Sequence, residues 1–292
     1  MDLQIAREYL LSEKYDKIIT ALNFMAKNGS INDLTHVMLL IKCENRTIQK
    51  SAVDTATSII KENLIARFNQ ISPEMRNKLG AIMESLDPKI IEEISRDLFS
   101  KDEQRRLRAV QILGLLKKHP STRLLMAKLV RDKDVKIRAT AVSLLAKMIG
   151  PNDQEIVLSL LNDPDKRVRA NTVEALESLG NKRMVPILLR LRFDQNNRTR
   201  ANVLKALYNL GYTDIEHDIL TMLDISDPLM KASALWVISQ INIRSKKLED
   251  ETGQYLLYKN SMVVDNARKA LVSFKTPRAN GYLRYLDKIT MI

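Results

Sequence analysis

The sequence is short of most residues that mark the non-helical protein classes. Its one cysteine, Cys43, excludes an internal disulfide framework and a thiolate metal cluster. That residue is expected as a small buried side chain on a helix. Eight glycines and eight prolines in 292 residues are too few for a collagen-like chain, a flexible linker or a turn-rich β-protein. Aromatic residues make up 5% of the chain, with a single tryptophan, Trp236. No stretch approaches the roughly 18 apolar residues that cross a bilayer, and the longest early run is Val37–Ile41. The opening residues, MDLQIAREYLL, lack the basic-then-apolar order of a secretory leader. A soluble, cytoplasmic, all-α protein is expected.

Catalytic motifs are missing as well. His36, His119 and His217 lie far apart and form no HExxH pair, and each is expected at a surface or a helix end. There is no glycine-rich phosphate loop and no Gly-x-Ser-x-Gly elbow. The chain is read as no enzyme, with no metal, no cofactor and no small-molecule ligand implied.

What is present is apolar material and a localised positive charge. Hydrophobic residues reach 45%, enough for a sizeable interior, and the net charge is +12. Residues 1–100 carry 13 Lys/Arg against 14 Asp/Glu, residues 101–200 carry 22 against 11, and residues 201–292 carry 12 against 10. Nearly all of the surplus sits in the middle third, which suggests a patch for an acidic partner.

The same third contains an internal repeat. Five segments align without gaps: DEQRRLRAVQILG from Asp102, DKDVKIRATAVSL from Asp132, DPDKRVRANTVEA from Asp163, DQNNRTRANVLKA from Asp194 and ISDPLMKASALWV from Ile225. The basic residue in the middle of each falls at Arg108, Arg138, Arg169, Arg200 and Lys231, with spacings of 30, 31, 31 and 31. The next position is alanine in all five, small enough for close helix packing. The residue four places on is Ile112, Val142, Val173, Leu204 or Leu235. These columns define an amphipathic helix packed into a continuous core. A second apolar helix precedes each one, as in Leu124, Leu125 and Leu129, or Ile187, Leu188 and Leu191. Acidic turns such as Asp163-Pro164-Asp165 and Asp227-Pro228 can cap the following helix. Gly150, Gly180 and Gly211 can terminate it.

Helix–turn–helix units with aspartate in the turn and Val/Ile-Arg-Ala opening the second helix resemble HEAT repeats. The short period is similar to that of many bacterial HEAT proteins, including the repeats of phycobilin lyases. The resemblance covers residues 101–242 and implies an α-solenoid of stacked antiparallel helix pairs, with the second helices lining a concave surface. Residues 1–100 read as degenerate helical repeats, including a helix pair around Asp87-Pro88. Residues 243–292 read as a modified C-terminal cap, with Asn266 in the basic position and Ala267 and Ala270 in the core columns.

The charged columns separate into two groups. In HEAT repeats the central arginine typically reaches an aspartate of the adjoining turn. The resemblance therefore implies a structural ladder of Arg108, Arg138, Arg169 and Arg200 with Asp132, Asp163 and Asp194. Two residues earlier stand Arg106, Lys136, Arg167 and Arg198, about opposite the core. They share a stripe with Val110, Leu113, Asn171, Asn202, Lys205 and Trp236. This column is either a solvated face or a binding row. The preferred function is a non-catalytic scaffold gripping an acidic protein segment on a basic concave face. Arg106, Lys136, Arg167 and Arg198 would steer that segment, Asn171, Asn202 and Lys205 would contact it, and Trp236 would anchor it. The alternative is sequence-independent nucleic-acid binding by the same basics, in the manner of HEAT-like alkylpurine DNA glycosylases.

Overall fold

The computed structural model describes residues 1–87, 89–117, 119–150 and 155–290, and the side chains of all of these except 120 and 286–290. Pro88, part of the turn read around Asp87-Pro88, lies outside the described residues. Eighteen α-helices and no strand occur among the described residues. None of these helices is long and apolar enough to cross a membrane.

The chain divides into two compact units, Met1–Met148 and Ile149–Ile292. Their boundary falls within the run of regular repeats. The first unit contains α1 (Leu3–Leu10), α2 (Tyr15–Asn28), α3 (Leu34–Leu40), α4 (Arg46–Arg67), α5 (Pro73–Leu86), α6 (Ile90–Asp97), α7 (Glu103–Leu113), α8 (Pro120–Leu129) and α9 (Val135–Leu145). Here α2 packs on α4, α4 on α7 and α7 on α9, while α3, α6 and α8 flank α4, α7 and α9. The second unit contains α10 (Glu155–Leu158), α11 (Lys166–Ser178), α12 (Val185–Leu189), α13 (Asn197–Asn209), α14 (Glu216–Asp224), α15 (Pro228–Gln240), α16 (Lys246–Gln254), α17 (Ser261–Phe274) and α18 (Pro277–Thr290). In it α11, α13, α15 and α17 pack in series, and α10, α12, α14 and α16 each precede and flank one of them. Each unit is thus a stack of helix pairs, the α-solenoid arrangement.

The helix starts fix the register of the repeat. Side chains of Asp102, Asp134, Asp165, Asn196, Asp227 and Asn260 accept backbone N–H groups at the beginnings of α7, α9, α11, α13, α15 and α17. The intervals are therefore 32, 31, 31, 31 and 33. This corrects the sequence alignment at both ends. In the first repeat Asp102 aligns by letter with Asp132, but it does the work of Asp134. The place of Asp132 is taken by Ser100, whose Oγ accepts from Asp102 N at 3.2 Å. The equivalent bonds run from Asp134, Asp165 and Asn196 to Asp132, Asp163 and Asp194 at 2.8, 2.9 and 2.8 Å. In the last repeat the position four past the cap is Val264, and Asn266 lies two residues beyond it.

With the register set by the caps, the core columns become uniform. Val110, Val142, Val173, Leu204 and Leu235 are fully buried, as are Leu113, Leu145, Leu176, Leu207 and Ile238. Val110 and Leu113, expected on the exposed stripe, therefore belong to the core. Conversely, Leu124, expected in the interior, is 67% exposed. Cys43 lies in the turn after α3, half-exposed, with Sγ 3.4 Å from the Asn45 carbonyl oxygen. It is neither helical nor buried. Gly180 and Gly211 follow α11 and α13 with φ of 66° and 99°, a left-handed conformation that lets the chain leave the helix.

The corrected register predicts that Leu113→Ala lowers the unfolding free energy by about 2–5 kcal/mol through the cavity it leaves. Lys117→Ala, one turn on and exposed, should change it by less than about 0.5 kcal/mol. Urea unfolding of the two variants checks this.

Candidate functional site

Two sets of arginines were expected to divide between structure and binding, and the first repeat exchanges their members. Arg106, Arg138 and Arg169 each donate from Nη1 to two carbonyl oxygens of the preceding turn. The acceptors are Ser100 and Lys101 (2.8 and 3.3 Å), Asp132 and Lys133 (2.9 and 3.1 Å), and Asp163 and Pro164 (3.0 and 3.1 Å). Arg106 is thus a tethering residue rather than a member of the binding row. Its Nη2 also lies 3.5 Å from Asp134. Arg108 moves the other way. It reaches Asn69 at 3.1 Å and Gln111 at 2.6 Å, and lies over the Phe68 ring, with no aspartate contact among the described residues.

Arg169 completes a rung to the next turn. Its Nε and Nη2 donate to the two oxygens of Asp194 at 2.9 and 3.0 Å, and the carboxylate pushes the arginine above its ordinary range. Arg200 does not repeat this bond. Its side chain is buried, and Nε and Nη2 find no acceptor among the described residues. The reason lies in the sequence: Ile225 stands where the three preceding turns carry Asp132, Asp163 and Asp194. Burial pushes Arg200 down, partly offset by the Asp218 charge, and pushes Asp218 up, partly offset by Arg192 and then by Arg200.

The outward stripe is largely neutralised inside each unit. In the first, Lys136 pairs with Glu103 at 2.6 Å. In the second, Arg167 forks onto Asp165, with both contacts at 3.1 Å. Arg198 Nη2 donates to Glu174 at 3.0 Å and to Asn171 at 3.1 Å. Lys205 pairs with Glu177 at 3.1 Å and stands 5.8 Å from the centre of the Trp236 ring. Asn202 is 2% exposed; it donates to the Ala170 carbonyl at 3.2 Å and to Glu174 at 2.7 Å, so it joins α13 to α11 rather than facing a partner. The sequence reading missed the role of Glu174 and Glu177. Glu174 was visible on the same stripe, but the interhelical register that brings Arg198 and Asn202 onto it was not.

Trp236 is half-buried on α15. With Glu174, Arg198, Ala201, Asn202 and Ser233 it lines a pocket of about 220 Å³. The column that carries Arg167 and Arg198 turns apolar in the next two helices, where Leu229 and Met262 are 50% and 49% exposed. The second unit therefore presents a stripe that is ion-paired at one end and apolar at the other. Among the described residues no group of three or more His, Cys, Asp or Glu side chains is placed to hold a metal ion.

Residues 154–223 match the family model described as HEAT repeats, in agreement with the resemblance in the helix-opening motif. No curated protein matches the chain in sequence. Among solved structures, an engineered protein from a structural genomics consortium aligns over 94% of this chain and 89% of its own, at 14% identity and a TM-score of 0.47. Kap121p aligns over 98% of this chain and 43% of its own, at 13% identity and a TM-score of 0.46. The CpcE–CpcF complex of phycocyanin lyase from Nostoc sp. PCC7120 aligns over 87% and 94%, at 13% identity and a TM-score of 0.45.

Two predictions follow from the ionic contacts. Ile225→Asp should restore the missing rung to Arg200, which a double-mutant cycle with Arg200→Leu would read as a favourable coupling of about 0.5–3 kcal/mol. The second concerns acid. The hydrogen bond from Arg167 holds the Asp165 carboxyl below its ordinary range, against a partial rise from burial. A carboxyl lowered in the folded state supplies stability above its unfolded pKa, near 3.9, and that stability is lost as pH falls through the lower folded value. Asp165→Asn should therefore flatten the acid limb of the stability profile below about pH 4, as measured by urea unfolding at stepped pH.

Proposed function

We propose that this chain is a non-catalytic scaffold that holds a protein partner along the outward stripe of α11, α13, α15 and α17. The observation that carries this reading is Trp236. It is the sole tryptophan, incompletely buried, and it walls a pocket on a stripe that continues into exposed Leu229 and Met262. Large apolar side chains left open in this way mark interaction surfaces, and aromatic anchors dominate many of them. An apolar side chain of the partner enters the Trp236 pocket, and acidic groups beside it exchange onto Arg198 and Arg167. The existing pairs permit that exchange. The Arg198–Glu174 side chains are 55% and 43% exposed, and exposed pairs are worth only about 0–1 kcal/mol.

The non-catalytic reading is supported by the work its acids already do. Asp134 and Asp165 cap helices, Asp194 takes the Arg169 fork, and Asp250 takes that of Arg278 at 2.6 and 2.7 Å.

Tryptophan emission, excited selectively over tyrosine, reports on this site alone, because no second tryptophan contributes. Partner binding is expected to shift the Trp236 emission to the blue and to protect it from acrylamide quenching. Leu229→Ser and Arg198→Glu should each weaken capture of that partner by about tenfold or more, with the thermal midpoint unchanged. A captured partner that leaves the emission and quenching of Trp236 unaltered overturns the assignment. Salt-sensitive binding of random duplex DNA, lost with the same variants, overturns it in favour of nucleic acid.

A further inference from the structure

Part of the positive charge that has no carboxylate partner lies in the first unit. Where the end of α6 meets the end of α8, a cavity of about 630 Å³ opens between two successive helix pairs. Its apolar lining comes from Leu98, Phe99, Leu125 and Leu129, and its cationic rim from Arg106, Lys128 and Lys133. One acid, Asp132, shares the lining, and its Oδ1 is engaged by the Asp134 amide at 2.8 Å. Among the described residues neither Lys128 nor Lys133 has a carboxylate within 4.0 Å, in contrast to Lys136, Arg167, Arg198 and Lys205 on the outward stripes.

Phe99 singles this cavity out. It is 86% exposed, a costly state for a large apolar ring. Counting from the turn residues Ser100 and Asp194, the same place is held three repeats later by Phe193. There the ring is 53% exposed, with Arg192 4.8 Å and Arg200 5.6 Å from its centroid. Among the described residues no cation or second ring lies over Phe99. Phe193 is thus flanked by two guanidinium groups and is the less exposed of the two, whereas Phe99 stands almost bare.

We propose that this cavity is a second docking site, for a short acidic peptide segment carrying a large apolar side chain. The apolar side chain sits against Phe99, Leu98 and Leu125, and flanking carboxylates meet Lys128 and Lys133. The volume falls in the range of about 300–1,000 Å³ typical of pockets that enclose a ligand. Charge complementarity selects the occupant: the rim asks for anions and the floor for an apolar group, and an acidic-apolar peptide supplies both. A nucleic-acid backbone supplies only the first. The inference shares the protein-scaffold reading but not its site, since every residue involved lies in the first unit.

The test uses the full chain and a fluorescein-labelled peptide, Asp-Glu-Asp-Leu-Phe-Glu-Asp-Glu, followed by fluorescence anisotropy at low salt. Lys128→Glu/Lys133→Glu and Phe99→Ser are each expected to raise Kd by about tenfold or more, and so is replacing the peptide's Leu-Phe by Gly-Gly. Because Lys128, Lys133 and Phe99 are exposed, these variants should melt as the wild type does. Trp236→Ala should leave the affinity unchanged, which separates this site from the stripe of the second unit. Equal binding of the Gly-Gly peptide, insensitivity to the Phe99 and lysine variants, or loss of binding on Trp236→Ala overturns the proposal. So does a random DNA duplex that binds more tightly than the peptide and depends on the same lysines.

Discussion

The structure depends on the way each second helix begins. In α7, α9, α11, α13, α15 and α17 a side-chain oxygen caps the first free amides, and in the first three of these a basic residue four places later reaches back to the turn that precedes the cap. Arg106, Arg138 and Arg169 do this with the same guanidinium nitrogen and the same pair of carbonyl positions. Cap and tether fix where the helix starts and how the turn leaves it. In α7, α9, α11, α13 and α15 the residues eight and eleven places past the cap then fall on the buried face, where each contributes about 1.5–3 kcal/mol by leaving water. The constraint is polar, and its consequence is an apolar core that repeats in step.

The same device explains which parts of the molecule can be read from the sequence. The repeat is legible because burial and close packing demand particular side chains, so the alanine and β-branched columns recur in the middle repeats. The first repeat misleads because the turn needs an acceptor oxygen rather than an aspartate, and Ser100 meets that need as Asp132 does. Matching aspartate to aspartate moved the frame by two residues, exchanged Arg106 with Arg108, and placed Val110 and Leu113 on the wrong face. The last repeat misleads for a related reason: its cap is Asn260, and the tethering position holds Val264, which has no charge to align.

Charge pairing is less legible, because it depends on how far one helix is shifted along the next. The sequence places Arg198 and Glu174 on outward faces 24 residues apart, yet only interhelical packing brings them to 3.0 Å. Asn202 shows the effect most clearly. It lies in an outward column by helical angle, but the neighbouring helix closes over it, and its amide bonds to α11. A column that reads as a positive row becomes a row of salt links wherever the adjoining helix offers a carboxylate.

Uneven neutralisation then separates two kinds of surface. On the stripe of the second unit the cations are already engaged, so a partner's acids replace existing contacts and gain little. In the proposed reading, affinity there would fall to the apolar end, around Trp236, Leu229 and Met262. At the corner of the first unit Lys128 and Lys133 have no carboxylate partner among the described residues, so in the proposed docking an anion would displace only water and salt, and Phe99 would gain cover. The +11 surplus of residues 101–200 is a property of composition, but its usefulness is decided residue by residue by which acids the fold brings near. Net charge draws a partner towards such a chain. What holds the partner is the small set of cations and apolar side chains that folding leaves unsatisfied.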